Sequence, residues 1–322
     1  MTAKGDGDRG YIEWKPDKRT QKLRDQVLTI VQTYPEQGLP APTPRDVYYD
    51  VVSHYGYKKD PKLMRRIYYI LRKARRAELI DFDAITDDTE ASAWVGGYED
   101  PAAFYRKMQH YTNGYTRHFE DNQDIHLELF AEGKGKVQQL ARVASAYHIA
   151  VRSPGGYDRI APKRELALRA AWEWEEYDRP TTVLHMGDFD PDGEEIYNVF
   201  VEDAHAFLSA HIDDDPEDVL TFKRIAVRPE QVPLARRGTF DLSAKHRDDT
   251  RAARWPHEYE VQLEALGVPR ILEIAREEIE AVLDLDQIEA DKEQSRPERE
   301  KIQANMRRLA EEAEDEEAED EE

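Results

Sequence analysis

The chain has no cysteine among its 322 residues. That absence excludes a disulfide framework, thiolate metal ligands and a cysteine nucleophile. Long apolar runs are missing as well: none approaches the ~18 residues of a membrane-spanning helix, and the opening MTAKGDGDRG lacks the apolar core of a signal peptide. The expectation is a cytoplasmic protein with no membrane association. Positive charge is scarce overall, with 46 Lys and Arg against 68 Asp and Glu, a net −22. The last twelve residues, EEAEDEEAEDEE, hold ten acidic groups, and the rest of the chain still carries −12 without them. A segment so charged and so poor in apolar residues is expected to be a disordered tail from 311 to 322. Acidity spread over the body suits solubility in high salt and argues against a nonspecific nucleic-acid coat, because most of the surface would repel phosphate. Contact with nucleic acid then requires a local basic patch.

Hydrophobic residues make up 39% of the chain, enough for a packed core and for two or three modest domains. Residues 1–20 are polar and read as a flexible arm. In QKLRDQVLTIVQT, Leu23, Val27, Ile30 and Val31 share one helical face. Thr43 and Pro44 are placed to open a second helix, TPRDVYYDVVSHYG, and Asp60 and Pro61 a third, DPKLMRRIYYILRKARRAEL. LIDFDAITDD, residues 79–88, alternates as a strand would and is expected to form a wing. Three short helices and a small hairpin describe a winged helix over residues 21–90, a variant of the helix-turn-helix.

The patch that the composition demands lies on the third helix. Lys58, Lys59, Lys62, Arg65, Arg66, Arg72, Lys73, Arg75 and Arg76 fall within nineteen residues of an otherwise acidic chain. This local inversion points to contact with DNA phosphates; the alternative is a solvated helix face with Tyr68, Tyr69, Ile70 and Leu71 turned to the core.

After a connecting segment with one helix, residues 91–124, the pattern changes to strand, helix, strand, helix, strand, helix: IHLELFAE, KVQQLARVASAYH, IAVRS, PKRELALRAAWEWEEY, TTVLHMGDFD and GEEIYNVFVEDAHAFLSAH, with VLTFKRIAV as a further strand. That alternation predicts a parallel sheet covered by helices over residues 125–235, an α/β fold. Polar residues at the carboxyl ends of such strands meet in one crevice. Glu132 and the pair Asp188 and Asp190 stand at such ends. A helical region is expected over 236–310.

Asp188, Asp190 and Asp192 with Gly193 match the start of a calcium loop, but the bidentate Glu needed at the twelfth position is Val199. A phosphatase reading fails because Asp192 stands where a Thr is required. Hard oxygen ligands from Glu132, Asp188 and Asp190 suit Mg²⁺, which would relieve their mutual repulsion and polarise a phosphodiester. His126 and His185 flank the acidic residues and are expected to be strand histidines, not ligands.

FAEGKG with Glu132, followed by MGDFDPDG with Asp188 and Asp190, resembles the Toprim domain of topoisomerases, primases and related nucleases. TPRDVYY, residues 43–49, resembles the T-x-R-x-x-Y-Y signature of the topoisomerase VI A subunit and the related meiotic double-strand-break protein. SPGGYDRIAPKREL and VQLEAL, residues 261–266, are similar to further segments of that family, and the resemblance spans residues 20–290. It implies a winged helix, a Toprim domain with a Rossmann-like parallel sheet and a helical C-terminal region. It further implies Mg²⁺-dependent DNA cleavage by Tyr49 through a 5′-phosphotyrosyl link. Arg45 would stabilise phosphate or phenolate, Glu132 would serve as general acid/base or ligand, and Asp188 and Asp190 would hold Mg²⁺. A homodimer is implied, the tyrosine of one subunit working with the acidic site of the other. Tyr69, in RRIYY, also follows arginines and remains an alternative nucleophile. The family usually has Lys directly after the acidic-motif Glu; here Gly133 stands there and Lys134 follows. EGKGKV is no P-loop, since no Ser or Thr follows the lysine, so strand passage would need a separate ATPase subunit of the B type, and the chain reads as a stand-alone, minimal A-type member. Two other classes stay open: a hydrolytic Toprim nuclease, and a non-catalytic winged-helix DNA-binding protein.

Overall fold

The computed structural model describes residues 13–86, 97–153, 160–234, 239–241, 255–257 and 259–320. Most of the arm, the glycine-containing residues 154–159, the end of the expected wing at 87–88 and the polar loop at 242–254 lie outside them. Among the described residues no helix is long and apolar enough to cross a membrane.

The first three helices form where capping chemistry meets apolar periodicity. Helix α1 (Lys18–Glu36) begins at Asp17, whose carboxylate accepts from Thr20 N at 2.7 Å. Helix α2 (Pro44–Tyr55) opens on a capping box between Thr43 and Asp46 and closes at Gly56, whose φ of 69° glycine reaches without steric cost. Helix α3 (Pro61–Arg76) is capped by Asp60. Leu23 and Val27 from α1, Val47 and Val51 from α2, and Ile67 and Ile70 from α3 share one core. The expected wing strand does not form in its described part: residues 82–84 make a 3₁₀ turn. Ile85 O accepts from Arg75 Nη2 at 2.5 Å, and Thr86 N and Oγ1 donate to the carbonyls of Pro42 and Ala41. Arg75 and the Pro42 carbonyl thus satisfy Ile85 O and Thr86 N, backbone groups that a hairpin would otherwise pair.

Helix α4 (Pro101–Thr112) is followed by the alternating run: β1 (His126–Ala131), α5 (Lys134–Ala144), β2 (Ala150–Arg152), α6 (Ile160–Tyr177), β3 (Thr181–Met186), α7 (Pro191–Leu208), α8 (Pro216–Val219) and β4 (Leu220–Ala226). The four strands pair in parallel in the order β2-β1-β3-β4, the α/β arrangement that alternation predicts. Both faces of β1 are buried, as helices on either side of a parallel sheet require; Phe130, Val183, Leu166, Phe200 and Leu220 pack together on one of them.

Helix–sheet alternation stops there. Two short strands, β5 (Thr239–Asp241) and β6 (Tyr259–Val261), pair antiparallel where only loop and helix were expected. Helix α9 (Val268–Glu280) follows, and Val268 and Leu272 join the core of α1–α3. Helices α1–α3, the sheet with α5–α8, the β5–β6 pair and α9 belong to one unit, Met1–Thr89 with Ile125–Ala281; α4 does not.

Glu90–Asp124 and Val282–Glu322 form a second unit. The segment expected as a connector therefore has its own partner, α10 (Leu285–Asp320), far along the chain. Arg117 N donates to Ser295 Oγ at 2.9 Å, and Asn122 Nδ2 to Asp291 Oδ1 at 2.8 Å. Helix α10 also runs to Asp320, through most of the tail expected to be disordered. Alanine and glutamate are strong helix formers, and Arg308 reaches Glu312 one turn on at 2.6 Å.

Glu128 in β1 is fully buried and anchors the sheet to α6. It accepts from Arg169 Nη2 at 2.8 Å, Arg152 Nε at 2.9 Å and His126 Nε2 at 3.3 Å. Burial works to raise its pKa, but the hydrogen bonds from His126 and Arg169 and the charges of Arg169 and Arg152 outweigh it and hold it at about 2. A folded-state pKa below the unfolded value stabilises the fold at neutral pH, and that contribution disappears as pH falls from about 4.5 towards 2. Glu128→Gln is expected to lower the stability at pH 7 by about 3 kcal/mol and to flatten the acid limb in that window. Urea unfolding across pH checks this; an unchanged acid limb in the variant would contradict it.

Candidate active site

Two strand ends carry the acidic residues. β1 and β3 are in-register neighbours, with β2 on the far side of β1; connections leave in opposite directions at this point, opening a crevice beyond the carboxyl ends. Glu132 N extends the ladder by donating to Met186 O at 2.9 Å, and Gly187 exchanges hydrogen bonds with Ala226 O and Val227 N at 2.7 and 2.8 Å. Past the strands the backbone folds back: Asp188 N donates to Glu132 Oε2 at 3.1 Å. Phe189 and Val261 exchange backbone hydrogen bonds, which brings the segment after β6 across the strand ends. Leu263 N then donates to Asp188 Oδ1 at 2.8 Å.

Two glycines make this approach possible. A Cβ on Gly187 would lie 2.9 Å from Glu132 Oε2 and 2.8 Å from His185 Cε1, and one on Gly193 would lie 2.4 Å from Asp188 O. Asp190 serves a local purpose: its carboxylate caps α7 by accepting from Gly193 N at 2.7 Å. Glu132, Asp188 and Asp190 thus share the crevice without closing into a compact shell of ligand atoms.

Helix α2 faces this crevice. Arg45 Nη2 lies 3.8 Å from Asp188 Oδ2, and its Nε lies 3.4 Å from Glu264 Oε1. One turn on, Tyr49 is hydrogen-bonded to Arg45 and only 3% exposed. Its ring meets Tyr48 edge-on at 5.1 Å, and Lys59 Nζ lies 5.9 Å from its centroid. Tyr48 has a structural task, its hydroxyl accepting from Asp60 N at 3.0 Å. Tyr69 lies on α3 against Trp14, Arg72 and Lys73, 41% exposed. Of the two tyrosine pairs, the structure brings the first to the acidic crevice, through Tyr49.

The basic group divides as well. Lys59 leaves it for the crevice, 3.9 Å from Glu260, and Lys73 is buried. Lys58, Lys62, Arg65 and Arg72 are exposed, and Arg66, Arg75 and Arg76 are partly so.

Burial and crowding of like charge shape the electrostatics. Burial raises the Asp188 carboxyl well above its ordinary range, and Glu264 and Glu132 add to the effect. Glu132 is raised by burial and by Asp190. Burial and Glu264 push the Tyr49 phenol up, so the hydroxyl keeps its proton at neutral pH. The Arg45 guanidinium is held more firmly protonated by Glu264 and Asp188, while burial lowers Lys59. His185, behind Gly187, is driven to about 3 by burial and Arg224, and remains neutral. It stacks on Tyr197 at 4.9 Å, and neither ring nitrogen has a hydrogen-bond partner; this is the core histidine the sequence suggests. His126 Nε2 lies 3.3 Å from Glu128 Oε1 and its Nδ1 3.6 Å from Glu173 Oε1.

Crowded carboxylates with raised pKa values are a donor set that a hard divalent cation fits. Here Arg45, and Arg224 through its bonds to Asp188 O and Glu194, supply the neighbouring positive charge. Glu264 and Glu260 are the residues that reading the sequence for chemistry missed, and Lys59 was read only as part of the basic cluster. Glu264 stands within VQLEAL, but a single Glu between Leu and Ala carries no spacing signal. No protein-family model matches the chain, and no curated protein matches it significantly.

Gly187→Ala tests the crevice directly. The added methyl must displace Glu132 or His185, and a loss of about 1–3 kcal/mol is expected. At Gly114 a Cβ would meet only Tyr111 O, at an ordinary 3.7 Å, so Gly114→Ala is expected to stay within about 0.5 kcal/mol. Chemical unfolding of the two variants side by side checks the contrast.

Proposed function

We propose that the chain is a Mg²⁺-dependent DNA-cleaving transesterase of the topoisomerase VI A type, with α1–α3 as its winged-helix DNA-binding part and the parallel sheet as its Toprim part. The observation that carries this reading is the placement of Arg45 and Tyr49, one turn apart on α2, over Asp188 and beside the crevice of Glu132. A tyrosine alone on a helix is ordinary; a tyrosine sharing an arginine with clustered acids at a sheet's switch point is suited to phosphoryl chemistry.

In this reading Tyr49 Oη attacks a DNA phosphorus. The bond to the 3′-oxygen breaks as the phosphotyrosyl bond forms, leaving the 5′-phosphate on the protein and a 3′-hydroxyl that takes up a proton. Arg45 holds the phosphate and favours loss of the Tyr49 proton. Glu132, whose carboxyl burial raises, is suited to pass a proton to the departing oxygen. Asp188 would hold Mg²⁺ with Glu132, and Asp190 would join them on releasing its cap; the ion would stabilise charge on the phosphate oxygens. The exposed arginines of α3 supply DNA phosphate contacts. A homodimer, a separate ATPase subunit of the B type and a cytoplasmic setting complete the proposal.

One observation favours a second reading. Tyr49 is buried and protonated, which suits a hydrolytic nuclease that uses water at the same acids and leaves the tyrosine a positioning role.

Incubation with supercoiled DNA and Mg²⁺, stopped with denaturant and treated with or without protease, separates the two. The transesterase yields breaks with protein attached at 5′ ends, lost at least 100-fold in Tyr49→Phe and in Asp188→Asn, as expected when a nucleophile or metal ligand is removed. Adducts that persist in Tyr49→Phe would sink the tyrosine assignment. Adduct-free cutting that survives Tyr49→Phe but not Glu132→Gln would establish the nuclease.

A further inference from the structure

A second feature lies away from the acidic crevice. An open cavity of about 750 Å³ sits on the outer side of α3, floored by Leu71 and Ile85 and walled by Arg65, Arg72, Arg75 and Arg76 with Tyr68, Tyr69 and Phe82. Its size is that of a site for a small organic ligand. Three large rings are exposed here, Tyr68 at 47%, Tyr69 at 41% and Phe82 at 54%, on a protein whose other charge is mostly negative. Among the described residues no carboxylate lines the cavity. The rings are also held in place. Tyr69 meets Trp14 edge-on at 6.3 Å, with Arg72 Cζ 5.8 Å from its centroid, and Arg75 lies 6.0 Å over Phe82 while its Nη2 holds Ile85 O.

We propose that this cavity binds an unpaired stretch of DNA, with bases stacked on Tyr68, Tyr69 and Phe82 and the backbone followed by Arg65, Arg72 and Arg76. Guanidinium groups beside exposed ring faces are the combination by which proteins hold single strands, because every base has a face to stack and every nucleotide a charge. A duplex offers only phosphates and groove edges, since its base faces are covered by their neighbours, and would leave the rings in the concavity without partners. An acidic peptide would satisfy the arginines but not the rings. The site extends the DNA-binding part of the proposed function and needs none of the cleavage chemistry.

The test is fluorescence anisotropy with the full chain in EDTA, using labelled oligothymidine, an abasic strand of equal length and a duplex of equal length. Oligothymidine is expected to bind about 5- to 150-fold more tightly than the abasic strand. Phe82→Ala and Tyr68→Ala, both at exposed positions, are expected to weaken oligothymidine about tenfold and to leave the abasic strand unchanged. Arg72→Gln should weaken both strands and reduce the slope of log affinity against log salt by about one. Because EDTA removes the metal that cleavage requires, loss of cleavage and loss of this site are read separately. Equal affinity for the oligothymidine and abasic strands would overturn the proposal. So would a duplex that binds more tightly than oligothymidine and is indifferent to the two aromatic substitutions, or displacement of oligothymidine by polyglutamate at matched charge.

Discussion

The buried ion pair between Asp46 and Lys136 joins the helical start of the chain to the sheet, and the candidate site depends on it. Lys136 Nζ donates to Asp46 Oδ1, and both side chains are 2% exposed. Asp46 Oδ2 accepts from Gln139 Nε2 at 2.9 Å and from Thr43 N and Oγ1, each at 2.9 Å. For each partner burial opposes the charged form, and for each the attraction of the other prevails: Asp46 is lowered and Lys136 raised. One carboxylate therefore caps α2 and ties it to α5, the helix that follows Glu132. Such pairs are costly to bury and contribute more to geometric definition than to net stability. Here that definition sets Arg45 and Tyr49, on the same helix as Asp46, over Asp188.

The crevice is an arrangement under electrostatic tension. Glu264 is buried and Glu132 and Asp188 are partly buried beside it, and each added negative charge makes the next harder to ionise. Backbone amides at Asp188 and Leu263, and the guanidinium groups of Arg45 and Arg224, keep the group in place. The glycines at 187 and 193 allow the backbone to come this close. A site built so is poised for a positive partner, and burial, with Glu264 adding to it, raises the phenol of Tyr49 above its ordinary range.

The sequence's legibility varied with the range of the interactions involved. Thr43 and Asp60 announced helix starts because capping is local chemistry, whereas Asp17 caps α1 within residues read as a flexible arm; β1, β3 and β4 were visible as apolar runs between helical patterns. The wing over 79–88 misled because alternation at Ile80, Phe82 and Ala84 can be met by a turn when Arg75 and the 41–42 carbonyls take up the backbone groups. Helix α10 outran its expected end because charge density alone does not oppose helix formation when the residues are Ala and Glu. Within the candidate site, Glu132, Asp188, Arg45 and Tyr49 could be named from motifs and strand ends. Asp190 could be named too, but its capping role follows from the turn geometry at Gly193.

By itself the sequence determined most of the helices and the parallel strands, their order, the charge inversion on α3 and which residue types could support chemistry, since these follow from periodicity, capping and composition. Only the tertiary structure decided that Lys59 belongs with the acids and Lys73 with the core, that Glu264 faces Arg45, and that Tyr68, Tyr69 and Phe82 line one cavity with arginines. It also decided that residues 90–124 share a unit with the C-terminal helix. Except for the cavity, formed where the turn at 82–84 returns to α3, these depend on residues far apart in the chain, brought together by the closing of cores and by the buried pair at Asp46; no local pattern of side chains encodes such distances.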